Sequence, residues 1–198
     1  MERLEFCSFT LSELSTIKFN VTDGRSYAER ISFALAIRLV QHSADAIAIL
    51  NEIDHLEGLN PHTATKPASQ FRRQPLHPFW HKHFFAPRHI LRNVGDRWRL
   101  THEGNKDLDN LIGQIADHHG HVESKWPRIL AHKLVIGGFE DRAEAKRLTG
   151  DWIIFAKYEG NNYYLDLATH TEGCDGEKLM SKLRDGCKSE YPFLFDES

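Results

Sequence analysis

Residues 151–170, DWIIFAKYEGNNYYLDLATH, decide the fold class. Two runs rich in β-branched and aromatic residues, Trp152 to Tyr158 and Tyr163 to Thr169, flank the turn residues Glu159 to Asn162. That is the pattern of an antiparallel hairpin. A tight turn centred on Gly160-Asn161 pairs Tyr158 with Tyr163 and, at the far end, Asp151 with His170. Alternation then places Trp152, Ile154, Ala156, Tyr158, Tyr163, Leu165, Leu167 and Thr169 on one side, which is nearly all apolar and reads as core. The other side is expected to be polar. It sets Asp151 opposite His170, Ile153 opposite Ala168, Phe155 opposite Asp166, and Lys157 opposite Tyr164.

Downstream of the hairpin, Asp175 begins a helix that carries Leu179, Met180, Leu183 and Cys187 on one stripe, and Pro192 stops it before Phe193-Leu194-Phe195. Upstream, residues 105–118 form a helix with Leu108, Leu111, Ile112 and Ile115 on one side. A second starts at Ser124, with Pro127 in its first turn, and stops at Gly137-Gly138. A third runs from Glu140 to Leu148. Between residues 27 and 56 the apolar positions recur at helical spacing behind a capping box at Ser26 and Glu29. A helix of that length would reach about 45 Å at 1.5 Å per residue, so it spans the domain or breaks near Gln41 to Ser43. Gly58 and Pro61 end it. The first 20 residues alternate in places and allow two short strands separated near Ser12 to Ser15.

The sum is an α+β fold, predominantly helical with a small antiparallel sheet built around the C-terminal hairpin (151–170). The 198 residues are read as a single domain in three stretches. Residues 1–59 hold strands and the long scaffold helix, 60–100 a Pro-rich loop and a basic, aromatic segment, and 101–198 helices, hairpin and C-terminal helix. Within the middle stretch, Phe79 to Asn93 reads as a short helix interrupted at Pro87, and Trp98 to Leu100 as extended.

Charge is distributed unevenly. Residues 64–99 hold eight Lys or Arg against one acid, Asp96, in a chain whose net charge is -3. Six aromatics and four histidines are threaded through the same segment. Cations that neutralise phosphates beside rings that stack bases suit a nucleic-acid surface. Arg72, Arg73, Lys82, Arg88 and Arg92 are the expected phosphate contacts, and Trp80 and Phe84 the expected stacking rings. RNA is the favoured partner, and an acidic protein docked through the same segment is the rival.

A second constellation is His170, Asp151, Lys157 and Asp166 on the polar side of the hairpin. A carboxylate across from His170 would orient the imidazole as general acid or base, beside a lysine that stabilises a phosphorane-like transition state. These are the parts of metal-independent RNA cleavage, and they suggest a ribonuclease of toxin or defence type. In layout, a helical N-terminal part followed by a short antiparallel sheet with a late histidine resembles small metal-independent ribonucleases and toxins of the barnase and RelE-like kind. The likeness covers residues 149–191 and carries no residue over.

Other chemistries find no support. The 13 histidines include His81-Lys82-His83 and the group His118, His119 and His121, yet no HExxH or CxxC accompanies them, and no metal is expected. There is no Walker loop, GxGxxG or GxSxG, so neither cofactor nor covalent hydrolase is expected. Three cysteines without a CxxC pair, no apolar run free of charges and no signal peptide point to the cytoplasm and away from a membrane. Cys187 is expected in the core.

Overall fold

The computed structural model describes residues 9–99, 105–119 and 126–195. In chain order the elements are α1 (Leu11–Thr22), α2 (Phe33–Gln41), α3 (Ser43–Leu56), β1 (Ser69–Gln70), β2 (Trp80–His83), α4 (Ile90–Trp98), α5 (Lys106–His119), α6 (Trp126–His132), α7 (Gly138–Glu144), β3 (Trp152–Tyr158), β4 (Asn161–Ala168), α8 (His170–Gly173) and α9 (Gly176–Cys187). The fold is α+β, helices around one small antiparallel sheet of order β1-β2-β3-β4. The chain forms two compact units. The larger takes the N-terminal residues through Pro61, Ala68–Phe84 and the C-terminal residues from Asp151; the smaller takes His62–Pro67 and Phe85–Gly150.

In the larger unit β3 is central and buried on both sides, with Ile153, Ile154 and Phe155 each at 0% exposure. On one side Ile154, Ala156, Leu165 and Ala168 pack against Leu179, Leu183 and Cys187 of α9, with Leu76, Phe79, Tyr191 and Phe195 completing the cluster. Burial raises the Cys187 thiol to about 12, so it behaves as a small hydrophobe. On the other side Phe155 and Tyr164 lie 5.9 Å apart, and Tyr164 meets the edge of Tyr27 at 5.9 Å. There α2 packs on β4. Its N-cap fixes the docking: Ser32 Oγ accepts from Leu35 N (2.9 Å) and donates to the Leu165 carbonyl, while Ser32 N donates to the Tyr164 carbonyl at 2.9 Å.

The hairpin is present, but its register differs from the expected one. The turn centres on Glu159 and Gly160, with φ of 47° and 79°, and Tyr158 pairs with Asn161. Positive φ at both central residues matches the strand twist, and glycine takes the second position as it does in Asn-Gly turns. A bulge between Ile154 and Phe155 shifts the ladder again, so that it closes on Trp152 and Ala168. The cross-strand pair Asp151–His170 is therefore not part of the ladder, and the side expected to be polar is instead covered by α2. Beyond the ladder, Thr169 caps α8 by accepting from Glu172 N at 3.2 Å.

Four other expectations need correcting. The first described residues form α1 in place of a strand, because Thr10 and Glu13 make a capping box, each bonding the other's backbone N–H; the strand expected near Leu4 to Ser8 lies outside the described residues. The scaffold helix begins at Ser32 and not at Ser26, since Ile31 is held extended in a bridge to Tyr164, and it breaks at His42, the second of the two options. Trp80 to His83 is a strand because it pairs with β3, while Trp98 closes α4. Gly137-Gly138 does not stop a helix. Lys133–Gly137 is a π-helical segment joining α6 to α7. A Cβ on Gly138 would overlap the Trp98 indole, whose Nε1 donates to the Leu134 carbonyl at 2.8 Å. The expected helix start at Ser124 lies outside the described residues.

Lys82 in β2 is 1% exposed and its Nζ lies 2.9 Å from Glu52 of α3. Removing one member leaves a buried charge uncompensated, which typically costs about 3–5 kcal/mol. Lys82→Met is expected to lower urea-unfolding stability by that order, and Lys82→Met with Glu52→Leu to recover most of it. Equal losses in single and double variants would show that the pair contributes only packing.

Candidate anion-binding site

The smaller unit concentrates unneutralised cations. Asn93 is 0% exposed and acts as its polar anchor. Its Nδ2 donates to the His89 and Thr149 carbonyls (2.9 and 2.7 Å), and its Oδ1 accepts from Thr149 N (2.8 Å) and from Arg142 Nε (3.2 Å). Arg142 Nη2 also donates to the Arg147 carbonyl at 2.7 Å and lies 3.5 Å from Asp96 Oδ2. Helix α4 thus fixes a guanidinium contributed by α7, and α4 ends at Arg99 in the left-handed conformation (φ 47°). Around it opens a cavity of about 520 Å³ lined by Lys66, Arg92, Arg99, Arg142 and Arg147, with Asp96 as the one acid among the described residues.

The electrostatics match that count. Burial lowers the pKa of Arg142, Asp96 opposes the shift, and the like charges of Arg147 and Arg97 add to it. The guanidinium still remains cationic at neutral pH. Arg97 is neutralised separately by Asp107 and Asp141, at 3.2 and 2.8 Å. Arg92, Arg99 and Arg147 are exposed, and no carboxylate pairs with them among the described residues. A pocket with one fixed guanidinium, three unpaired ones and a lysine suits bidentate anion recognition.

The residues expected from sequence to hold phosphates are divided. Arg92 lines this pocket and Arg88 lies exposed in the same unit, whereas Arg72 and Arg73 are exposed in the larger unit. Lys82 is inside the fold with Glu52, and Phe84 is 1% exposed. Trp80 is half-buried beneath Lys157, whose Nζ is 4.1 Å from the ring centroid. Of the expected catalytic set, Asp166 is buried between Lys182 (3.2 Å) and Arg38 (3.5 Å), and the Asp151 carbonyl accepts from Phe84 N at 3.0 Å. His170 packs on Trp152 (4.8 Å) and His83 (5.3 Å). A Cβ on Gly173 would overlap the Trp152 ring, so glycine lets α8 close over it. Lys157 lies five residues along β3 from Trp152, roughly 16 Å at 3.3 Å per residue. The structure therefore groups His170 with imidazoles and an indole, apart from Lys157.

Sequence reading did not single out Arg142, Arg147 or Lys66. Part of the signal was present in Lys146 and Arg147 at the end of the expected helix 140–148, where the two read as a complement to the helix dipole. Among the described residues no group of three or more His, Cys, Asp or Glu is arranged to hold a metal ion, and no helix is long and apolar enough to cross a membrane. His121 lies outside the described residues. Comparison with family models, curated proteins and solved structures gives no match for this chain.

The imidazole group makes stability depend on pH. His81 lies 4.7 Å from both Phe71 and Trp152, and its Nδ1 is buried without a hydrogen-bond partner. Burial first, then charge on His170, lower its pKa from 6.5 to about 4. As pH falls the unfolded chain takes up the proton first, so this contribution is full above about 6.5 and is lost down to about 4. Stability should fall by up to about 1.4 kcal/mol per pH unit across that window. In urea titrations His81→Gln should remove this component of the slope; an unchanged slope would assign the effect to other groups.

Proposed function

We propose that this protein binds a polyanion, with RNA as the favoured class, through the arginine pocket of its smaller unit. The observation that carries the reading is the five-to-one excess of cations over acids lining one cavity, with three of the guanidinium groups lacking any carboxylate partner among the described residues. Where a protein folds its arginines for stability alone, they end beside carboxylates, as Arg97 and Arg30 do here. Holding Arg142 among like charges costs stability, and an incoming phosphate would offset that cost. Arg72 and Arg73 supply further solvent-facing cations in the larger unit. Binding is favoured over cleavage because Lys157 and His170 lie apart.

Fluorescence anisotropy with a labelled single-stranded RNA, read across a salt series, tests this. Arg92→Ala/Arg147→Ala should weaken binding at least about tenfold and reduce the log–log salt slope by roughly 1.4, two phosphate contacts at about 0.7 each. The folded protein should tolerate the pair, since neither side chain has a carboxylate partner among the described residues. Unchanged affinity and slope would overturn the assignment. Incubation of RNA in EDTA should leave it intact; fragments that His170→Ala abolishes would replace binding with cleavage, and preference for polyglutamate over RNA would replace it with an acidic protein partner.

A further inference from the structure

Gly95 of α4 lines the arginine pocket, and nothing in the fold requires a glycine there. Its backbone is helical, and a Cβ built on it would have nothing within 4 Å, whereas one on Gly138 or Gly173 would overlap an indole. Glycine inside a helix is destabilising relative to alanine, so α4 gives up stability to leave this position bare. What the bare position leaves is room beside the cations. Arg92, Gly95 and Asp96 are spaced three and four residues apart on α4, hence on one face, and Arg99 follows as the helix's C-cap. Arg142 comes from α7 and Arg147 from just beyond it. Together they line one concave space of about 520 Å³, within the usual range of small-ligand sites.

Two properties of that space bear on which part of an RNA enters it. A strand lying along a protein spreads its charges down a groove and rests its bases on aromatic rings. Here the cations converge, and among the described residues no aromatic side chain lines the space and Asp96 is its one carboxylate. An internal phosphodiester would bring a single negative charge to them. A terminal phosphate monoester brings about 1.5 to 2 at neutral pH, on three oxygens that can meet more than one guanidinium. Arg142, whose Nε donates to Asn93 Oδ1 and whose Nη2 donates to the Arg147 carbonyl, is fixed before any ligand arrives. A doubly charged, compact end group suits the pocket better than a passing backbone.

We infer that the arginine pocket receives the terminal phosphate monoester of an RNA chain, seated over Gly95 with the bases left outside, an inference that rests on the RNA reading above. Fluorescence anisotropy of the full chain is the test, with one internally labelled single-stranded RNA carrying a 5′-phosphate, a 3′-phosphate or hydroxyls at both ends. At least one phosphorylated form should bind about tenfold or more tightly than the hydroxyl form at the same salt. Arg92→Ala/Arg147→Ala should abolish that preference, and Gly95→Leu should remove most of it. Gly95→Ala should narrow the preference less and raise the thermal midpoint, which excludes misfolding as the cause. Equal affinity for all three forms would overturn end recognition and leave RNA binding standing, whereas binding of none would overturn both. A full preference in Gly95→Leu would overturn the seat over Gly95. Ribose 5-phosphate binding as tightly as phosphorylated RNA would make a small phosphate ester the ligand in place of an RNA end.

Discussion

Everything in the larger unit depends on one strand being dry on both sides. β3 places Ile153, Ile154 and Phe155 in succession at full burial, and each such side chain is worth roughly 1.5–3 kcal/mol when removed from water. A strand with only one apolar side needs one covering layer, whereas this one needs two. Helix α9 supplies one through Leu179, Leu183 and Cys187, and α2 supplies the other, locked to β4 by Ser32. β2 then completes the pairing on the open edge, which is why a segment without strong strand periodicity becomes a strand.

The fold assigns its ionic groups in two different ways. In the larger unit, carboxylates and cations neutralise one another within the structure: Lys82 with Glu52, Lys18 with Glu190, and Asp166 between Lys182 and Arg38. Glu57 shows how far this goes. Burial alone would raise its pKa, but hydrogen bonds from Arg30, Tyr164 and Asn162 outweigh burial and hold it below the ordinary carboxylate range. The smaller unit departs from this pattern around Arg142, where guanidinium groups crowd one another and Asp96 is the one acid among the described residues. An arrangement that the fold does not need for its own stability is where a ligand is to be sought.

The arginine pocket offers charge with no aromatic lining among the described residues. The imidazole group at His81, His83 and His170 is not part of that pocket. Its rings pack on Trp152 and on one another, and burial within it lowers the pKa of His81.

What was legible in the sequence was what local spacing determines. The alternation of residues 152–168 specified a hairpin, the Leu179, Leu183 and Cys187 stripe specified α9, and the excess of Lys and Arg in residues 64–99 pointed to cations exceeding their local acids. Register, burial side and pairing were decided only by tertiary structure. A turn moved to Glu159-Gly160 and a bulge before Phe155 re-aimed every partner, so Asp151 and His170 do not meet across the ladder. Which arginines stay unneutralised was equally out of reach. Lys82 and Arg97 find carboxylates far away in sequence, while Arg92 joins Arg142 and Arg147. Charge is additive along a chain, but its neutralisation depends on distances that only the folded molecule sets.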